Sequence, residues 1–331
     1  MKRLCVIPGD GIGQEVVPSA VRVLLKLLPG LDVVEAEAGW DCFLRCGQAV
    51  PEATLQRMRE CGAGLFGAVS SPAQRVEGYR SAILTLRQQL QLNVNVRPVR
   101  SWPQLSPRAD VDLLILRENS EGLYIGHEHM ESADVAVAQR LISRQASERI
   151  AARAAEVARL RSSGRITLVH KANVLPLTCG LFRDSCRGVL AEAGLDSIVD
   201  ERLVDVAALQ LVERPQDFDL LVTTNLFGDI LSDLASHWSG GLVMAPSLNW
   251  GQGIALAEPV HGSAPDIAGS GKANPLAAVL SAALLLRYHW QYGEQADRLE
   301  RAVEGLLTEV TVTQLEGETT RVVEQELLSR L

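Results

Sequence analysis

The residue types most able to do chemistry at short spacing lie in the stretch Thr223-Thr224-Asn225-Leu226-Phe227-Gly228-Asp229-Ile230-Leu231-Ser232-Asp233-Leu234. The apolar run Leu220 to Val222 reads as a buried strand, and after Gly228 the pattern takes helical period, so Asp229 and Asp233 share one helix face. Carboxylates beside Ile230, Leu231 and Leu234 are costly unless a cation lies against them, and hard oxygen ligands suit a divalent metal. A solvated face with two ordinary acids is the other reading, and the stretch leaves both open.

Arg87, Arg97 and Arg117 each sit beside apolar residues. Isolated arginines usually lie on solvated faces, but Arg117 follows an apolar run at its C-terminal end, where open α/β sheets bind ligands. Three guanidiniums from neighbouring segments would hold a polycarboxylate through bidentate bonds. Tyr124 follows a glycine loop and is compatible with a half-buried aromatic. Lys171 ends another apolar run, as a snorkelling surface lysine or a desolvated base, while His170 reads as a satisfied core histidine. Asp205 is a lone acid in an apolar run and needs a partner, for which a shared metal is one choice. Prolines and glycines fix the segment Glu258 to Gly269 as a loop. Its amides suit a phosphate and Asp266 suits ribose hydroxyls, or it is an ordered structural loop.

These residues need elements to hold them. Strand-like runs (Leu4–Ile7, Val33–Ala36, Leu65–Val69, Val111–Leu116, Ile166–His170, Leu220–Thr223) alternate with helical patterns at Val16–Leu28, Ala146–Leu160 and Leu181–Ala193. That alternation predicts an α/β fold with a largely parallel sheet. The Pro/Ser cluster Ser101–Pro107 and the glycine-rich Gly240–Gly253 read as domain crossings, which makes the middle of the chain an inserted second domain. Gly9-Asp10-Gly11-Ile12-Gly13 fails as a dinucleotide fingerprint, because Gln14 stands where the third glycine belongs; a tight strand-to-helix turn is the reading. Leu276–Leu286 is too short to span a bilayer, and reads as a core or subunit-interface helix with Asn274 as N-cap and Pro275 at its first position.

At 331 residues the chain is long enough for two domains, and 47% hydrophobic content predicts a soluble globular protein. A net charge of −8 with no basic block argues against a nucleic-acid surface. The six cysteines lack CxxC spacing and read as reduced, mostly buried thiols of a cytoplasmic protein. The first strand meets its glycine turn too soon for a signal peptide.

Taken together, these segments resemble the β-decarboxylating dehydrogenases, the family of isocitrate, 3-isopropylmalate, homoisocitrate and tartrate dehydrogenases. The likeness runs from Gly9-Asp10-Gly11-Ile12-Gly13 to Asn274-Pro275, and is most specific over Asn225–Asp233 and Glu258–Gly269. It implies a two-domain α/β fold with a mostly parallel sheet that is not a Rossmann fold. Residues 1–100 and 250–331 would form the large cofactor-binding domain, and 101–249 a smaller inserted domain with the dimer contacts. The active site would lie in the cleft between the domains and borrow residues from the partner of a homodimer, or of a tetramer built from it.

The resemblance also implies roles. Asp229 and Asp233, with Asp205 of the other subunit, would hold Mg²⁺ or Mn²⁺. Arg87, Arg97 and Arg117 would grip the substrate carboxylates, with Ser71, Ser81 and Asn173 completing the substrate site. Tyr124 and the other subunit's Lys171, aided by Asp205, would be acid and base. Ile12, Glu258, His261, Gly262, Ser263, Ala264, Asp266, Ile267 and Asn274 would bind the cofactor. Members that use NADP carry lysine then tyrosine at Asp266-Ile267, so the cofactor is read as NAD. Val206, Leu209 and Leu248 depart from the family's usual asparagine, methionine and glycine without removing a catalytic group.

The family reads the substrate's variable arm with Ser71–Leu86. Ile83 and Leu84 partly match isopropylmalate enzymes, and Ser81 alone survives of the isocitrate pattern. The short loop Ser71–Tyr79 is most similar to homoisocitrate dehydrogenases, with Arg75 and Arg80 as charge for a distal carboxylate, although some of those enzymes carry arginine at Leu84. Homoisocitrate is therefore the expected substrate, then isocitrate, then isopropylmalate, with relaxed specificity compatible with a difference of about 1–3 kcal/mol per methylene.

Overall fold

In the computed structural model, which describes residues 2–72, 74, 76–161, 164–309 and 319–331, the chain divides into two units. Residues 1–92, 102–109 and 239–331 form the first, and residues 93–101 and 110–238 form the second. The division departs from the boundaries expected at 100/101 and 249/250. Residues 94–100 are a strand paired within the second unit, and 246–250 a strand paired within the first.

The first unit opens with β1 (Arg3–Gly9), α1 (Gly13–Leu27), β2 (Asp32–Glu35), α2 (Trp40–Cys46), α3 (Glu52–Cys61), β3 (Ala63–Ala68) and α4 (Ala82–Gln89). The tight turn between β1 and α1 requires glycine. Gly9 and Gly11 have φ of +75° and +55°, and a Cβ on either would stand 2.1 Å from a carbonyl oxygen, Ala68 O and Ser263 O respectively. The glycines thus serve a close approach of backbones.

The second unit follows: β4 (Val94–Arg100), β5 (Asp112–Glu118), the exposed hairpin β6 (Glu128–Ser132) and β7 (Val135–Ala138), then α5 (Arg144–Ala158) and β8 (Ile166–His170). Next come α6 (Thr178–Glu192), β9 (Val199–Leu203), α7 (Val204–Glu213), β10 (Leu220–Thr223) and α8 (Asn225–Ser236). Its strands run in the order β4-β5-β10-β8-β9, all parallel except β4 against β5. The register sets Thr223 beside Arg117 and Val169, so the C-terminal ends of β5, β8 and β10 lie together, where ligands of parallel sheets bind. Ala207, Leu211, Leu221, Leu231 and Ala235 form this unit's core together with residues of β4, β5 and β8.

The chain then completes the first unit with β11 (Pro246–Trp250), β12 (Ala255–Pro259), α9 (Leu276–Leu284), α10 (Gly293–Glu309) and α11 (Thr319–Arg330). The strands run β2-β1-β3-β12-β11, with only β11 antiparallel to its neighbour. Every residue of α9 is buried, as its apolar run demands, and the one polar side chain, Ser281, donates to Ala277 O at 2.7 Å. Its start is one residue later than expected: Pro275 takes the cap position, and Asn274 Oδ1 accepts from Leu276 N at 3.0 Å. No helix among the described residues is long and apolar enough to cross a membrane. The six cysteines are free; Cys5, Cys42, Cys179 and Cys186 are buried, whereas Cys46 is exposed and Cys61 partly so.

Candidate active site

Helix α8 begins where β10 ends. Gly228 lets it lie directly on β5, since a Cβ there would stand 2.7 Å from both Cβ and Cγ of Arg117. Asn225, one turn earlier, accepts from Arg117 Nε at 3.0 Å and Nη2 at 2.8 Å, while Arg117 Nη1 donates to Asp229. Arg97 projects from β4, donating to Asn95 Oδ1 (2.8 Å), Ser232 Oγ (2.8 Å) and Asp233 Oδ1 (2.9 Å), with Asp229 3.8 Å away. The cations that lie against Asp229 and Asp233 are therefore arginines, an arrangement the spacing of the two acids did not anticipate.

Both guanidiniums are buried, Arg117 at 1% exposure, so each needs partners on all sides, which the two acids share with Asn225, Asn95 and Ser232. Tyr124, in a single helical turn at Leu123–Ile125, donates its hydroxyl to the other oxygen of Asp229, and its ring lies 4.9 Å under the Arg117 guanidinium. Burial, then the bond to Asp229, pushes the phenol above its ordinary value against the pull of Arg117. Tyr124 thus stays protonated, as a proton donor must.

The set carries two negative and two positive charges. Asp233 keeps half of its side chain in solvent and Asp229 about a third, so hard oxygens remain reachable on one face. This half-set suits a divalent cation arriving with an anionic ligand, whose charge the arginines would take up. Asp205 does not join it: among the described residues no group of three or more metal-ligating side chains is assembled. Asp205 instead accepts from Lys171 Nζ at 2.5 Å, which answers its need for a partner and holds its carboxyl below the usual range. Lys171 follows β8 and Asp205 opens α7, so adjacent parallel strands deliver the pair. Asn173 is exposed in the turn after Lys171. His170 is buried as expected, bonded to Ala172 N (3.1 Å) and Glu201 (3.2 Å).

In the first unit, Arg87 on α4 pairs with Glu258 on β12 at 3.0 Å, and Asn249 donates to the same oxygen at 2.7 Å. Glu258 is thus a strand residue, which corrects the reading of Glu258–Gly269 as one loop. Ser81 caps α4 through its carbonyl, which accepts from Thr85, and Ser71 is exposed. Arg80 lines a recess of about 450 Å³ with Val76, Glu77, Gly78 and Tyr79; Arg75 lies outside the described residues.

The loop after β12 meets the β1–α1 turn, where Ile12 N donates to Ser263 O at 2.9 Å. His261 Nδ1 contacts Gly262 O at 3.0 Å, whereas its Nε2 is buried without a hydrogen-bond partner, and burial draws the imidazole below its ordinary value. Gly262 and Asp266 are exposed, Ala264 and Ile267 partly so. An unsatisfied imidazole nitrogen beside open backbone and an exposed carboxylate suits a nucleotide, whose base and ribose would supply partners.

Several contributing residues had been given no role. Asn95 lies two residues before Arg97, the strand period that puts both on one side of β4. Asn225 and Ser232 fall on the helix face of Asp229 and Asp233. Arg140 donates to Thr178 Oγ1 (2.7 Å) and Thr224 Oγ1 (3.2 Å), tying the segment after Lys171 to the start of α8; no local pattern marks it.

Comparison with known proteins agrees with this architecture. Residues 3–328 match the isocitrate/isopropylmalate dehydrogenase family. An isocitrate/homoisocitrate dehydrogenase of Thermus thermophilus is 52% identical over 305 residues, covering 92% of this chain and 90% of that protein. A homoisocitrate dehydrogenase of Methanocaldococcus jannaschii is 42% identical, covering 95% and 92%. The crystal structure of isocitrate dehydrogenase from Methylococcus capsulatus superposes with a TM-score of 0.90 at 39% identity, covering 100% of this chain and 99% of that one. The chain belongs to the isocitrate/isopropylmalate dehydrogenase family and is a β-decarboxylating hydroxy-acid dehydrogenase.

Proposed function

We propose that the enzyme catalyses the NAD-dependent, metal-dependent oxidative decarboxylation of homoisocitrate to 2-oxoadipate and CO₂, a step of lysine biosynthesis through 2-aminoadipate. The observation that carries the reaction is the set Asp229, Asp233, Arg97, Arg117 and Tyr124, in which acids for a cation, guanidiniums for carboxylates and a protonated phenol meet on one helix face.

In this reading Arg87, Arg97 and Arg117 hold the carboxylates, with Ser71, Ser81 and Asn173 around the substrate. The other subunit's Lys171 accepts the hydroxyl proton with that subunit's Asp205 beside it, and Tyr124 protonates the carbon from which CO₂ departs. Mg²⁺ or Mn²⁺ held by Asp229, Asp233 and the other subunit's counterpart of Asp205 would supply Lewis-acid stabilisation of developing negative charge. NAD, bound by Ile12, Glu258, His261, Gly262, Ser263, Ala264, Asp266, Ile267 and Asn274, would supply the two-electron acceptor. The exposed carboxylate of Asp266 favours ribose hydroxyls over a 2′-phosphate. Replacing Asp266 with lysine and Ile267 with tyrosine should move the ratio of kcat/KM for NAD over NADP towards NADP; an unchanged ratio counts against the loop assignment.

For the substrate, Arg80 in its recess offers a positive charge to a distal carboxylate. Isocitrate is the second reading, favoured by the relative named for both acids, and isopropylmalate the third. Initial rates of NADH formation on the three acids decide among them. A non-catalytic paralogue is the rival class, and the presence of Tyr124, Lys171, Asp205, Asp229 and Asp233 argues against it. A homodimer with shared sites is supported by apolar side chains left in solvent on α7 and α8, among them Leu209, Val212, Ile230 and Leu234, and by Met130 and Val135 on the hairpin. Six thiols with no disulfide fit a cytoplasmic location.

A further inference from the structure

The first turn of α1 carries an acid that no step of the proposed reaction uses. Glu15 reaches across to the loop after β12 and accepts two backbone bonds there, Gly269 N to Oε1 and Gly271 N to Oε2, the latter at 2.9 Å. Gly269 and Gly271 have φ of +76° and +71°, a conformation that glycine adopts without penalty. The same turn of α1 holds the loop's near end through Ile12 N and Ser263 O at 2.9 Å. From the far side, Thr320 of α11 donates twice, its N to Gly271 O at 3.0 Å and its Oγ1 to Ala273 O at 2.5 Å.

Between these anchors lie Asp266 and Ile267. Asp266, Ala268, Gly269 and Ser270 are exposed, so burial does little to fix them. Bonds from amides to a carboxylate are the strong kind, and a bidentate one sets direction as well as distance. We infer that Glu15 is a positioning residue for the dinucleotide: it clamps the Asp266 loop in its binding conformation before the cofactor arrives, and so sets NAD affinity without touching NAD. The inference rests on the NAD reading above. If the loop without its clamp holds that conformation only about a tenth of the time, apparent affinity falls about tenfold.

The test uses the full-length protein with Glu15→Gln, which keeps length but turns an amide donor towards a backbone N–H, and Glu15→Asp, which keeps charge but is too short to reach both amides. NADH affinity is read by fluorescence titration, and loop order by amide hydrogen exchange over residues 264–271. Glu15→Gln should weaken NADH binding about tenfold and speed exchange in that segment, raising KM for NAD while KM for the hydroxy acid stays near wild type; Glu15→Asp should fall between. Faster exchange with unchanged NADH affinity overturns the positioning role, and unchanged exchange overturns the clamp itself. A wild-type protein that binds no NADH overturns the cofactor reading, a failure distinguishable because wild type and variants would then share it.

Discussion

Asp229 meets Arg117 through one oxygen and Tyr124 through the other, with Arg97 close by, so a single carboxylate joins the anion-binding, cation-binding and proton-donating parts of the proposed site. Asp229→Asn keeps an oxygen for Arg117 but loses the charge a dication needs. It should abolish metal-dependent turnover while circular dichroism and the melting temperature show the fold retained; undiminished activity would sink the metal assignment. The spacing of Asp229 and Asp233 was legible because helical period is local. Their pairing with Arg97 and Arg117 was not, because β4 and β5 bring those arginines from more than a hundred residues away. Lys171 and Asp205 were each singled out, but nothing local showed that they touch. Glu15 gave no signal, since its partners are backbone amides of a distant loop.

At the scale of elements, apolar runs announced strands with little polar interruption, such as β1 over Leu4–Ile7 and β10 over Leu220–Val222. Strands β4, β11 and β12 were missed because they also bury polar residues: Asn95 and Arg97, Ser247 and Asn249, and Glu258. Those residues interrupt the apolar runs by which the other strands were recognised, and Asn95, Arg97, Asn249 and Glu258 do so while bonding one another or the site. The edge strand β9 shows how elements are tied without apolar burial. Its Glu201 accepts from Arg187 of α6 at 2.5 Å and contacts His170 of β8 at 3.2 Å. Burial opposes the charged form, yet the bonds from Arg187 and His170 outweigh it, so the carboxyl sits below its ordinary value of about 4.3. A depressed carboxyl contributes stability that is present above that value and is lost as pH falls through the folded-state value. Glu201→Gln should therefore lower the melting temperature by about 2–4 °C near neutral pH, for a loss of about 1 kcal/mol, and the gap should close as pH falls through the folded-state value. A gap that persists at acid pH contradicts the ion-pair account.

For the molecule as a whole, the chain changes unit at 92/93, 101/102, 109/110 and 238/239, so the segments read as crossings, Ser101–Pro107 and Gly240–Gly253, lie beside three of these changes while the first falls just before β4. Ile230 was read as a helix position and Leu209 only as part of the apolar run around Asp205, and their exposure of 58% and 57% leaves an apolar face in solvent that the proposed dimer would cover. If Lys171 and Asp205 serve the other subunit, Leu209→Glu with Ile230→Glu should yield a folded monomer by analytical ultracentrifugation whose kcat is lower by about 10²–10⁴, the loss expected of a missing general base. A monomer with full activity would contradict the shared site.

The central claim is most directly tested by initial rates of NADH formation on homoisocitrate, isocitrate and 3-isopropylmalate with Mg²⁺ or Mn²⁺, compared as kcat/KM and repeated with excess chelator. The account predicts the highest kcat/KM on homoisocitrate, isocitrate next, and no rate on any acid once the metal is removed. Absence of NADH formation from all three acids with metal present, or turnover that survives the chelator, would contradict it.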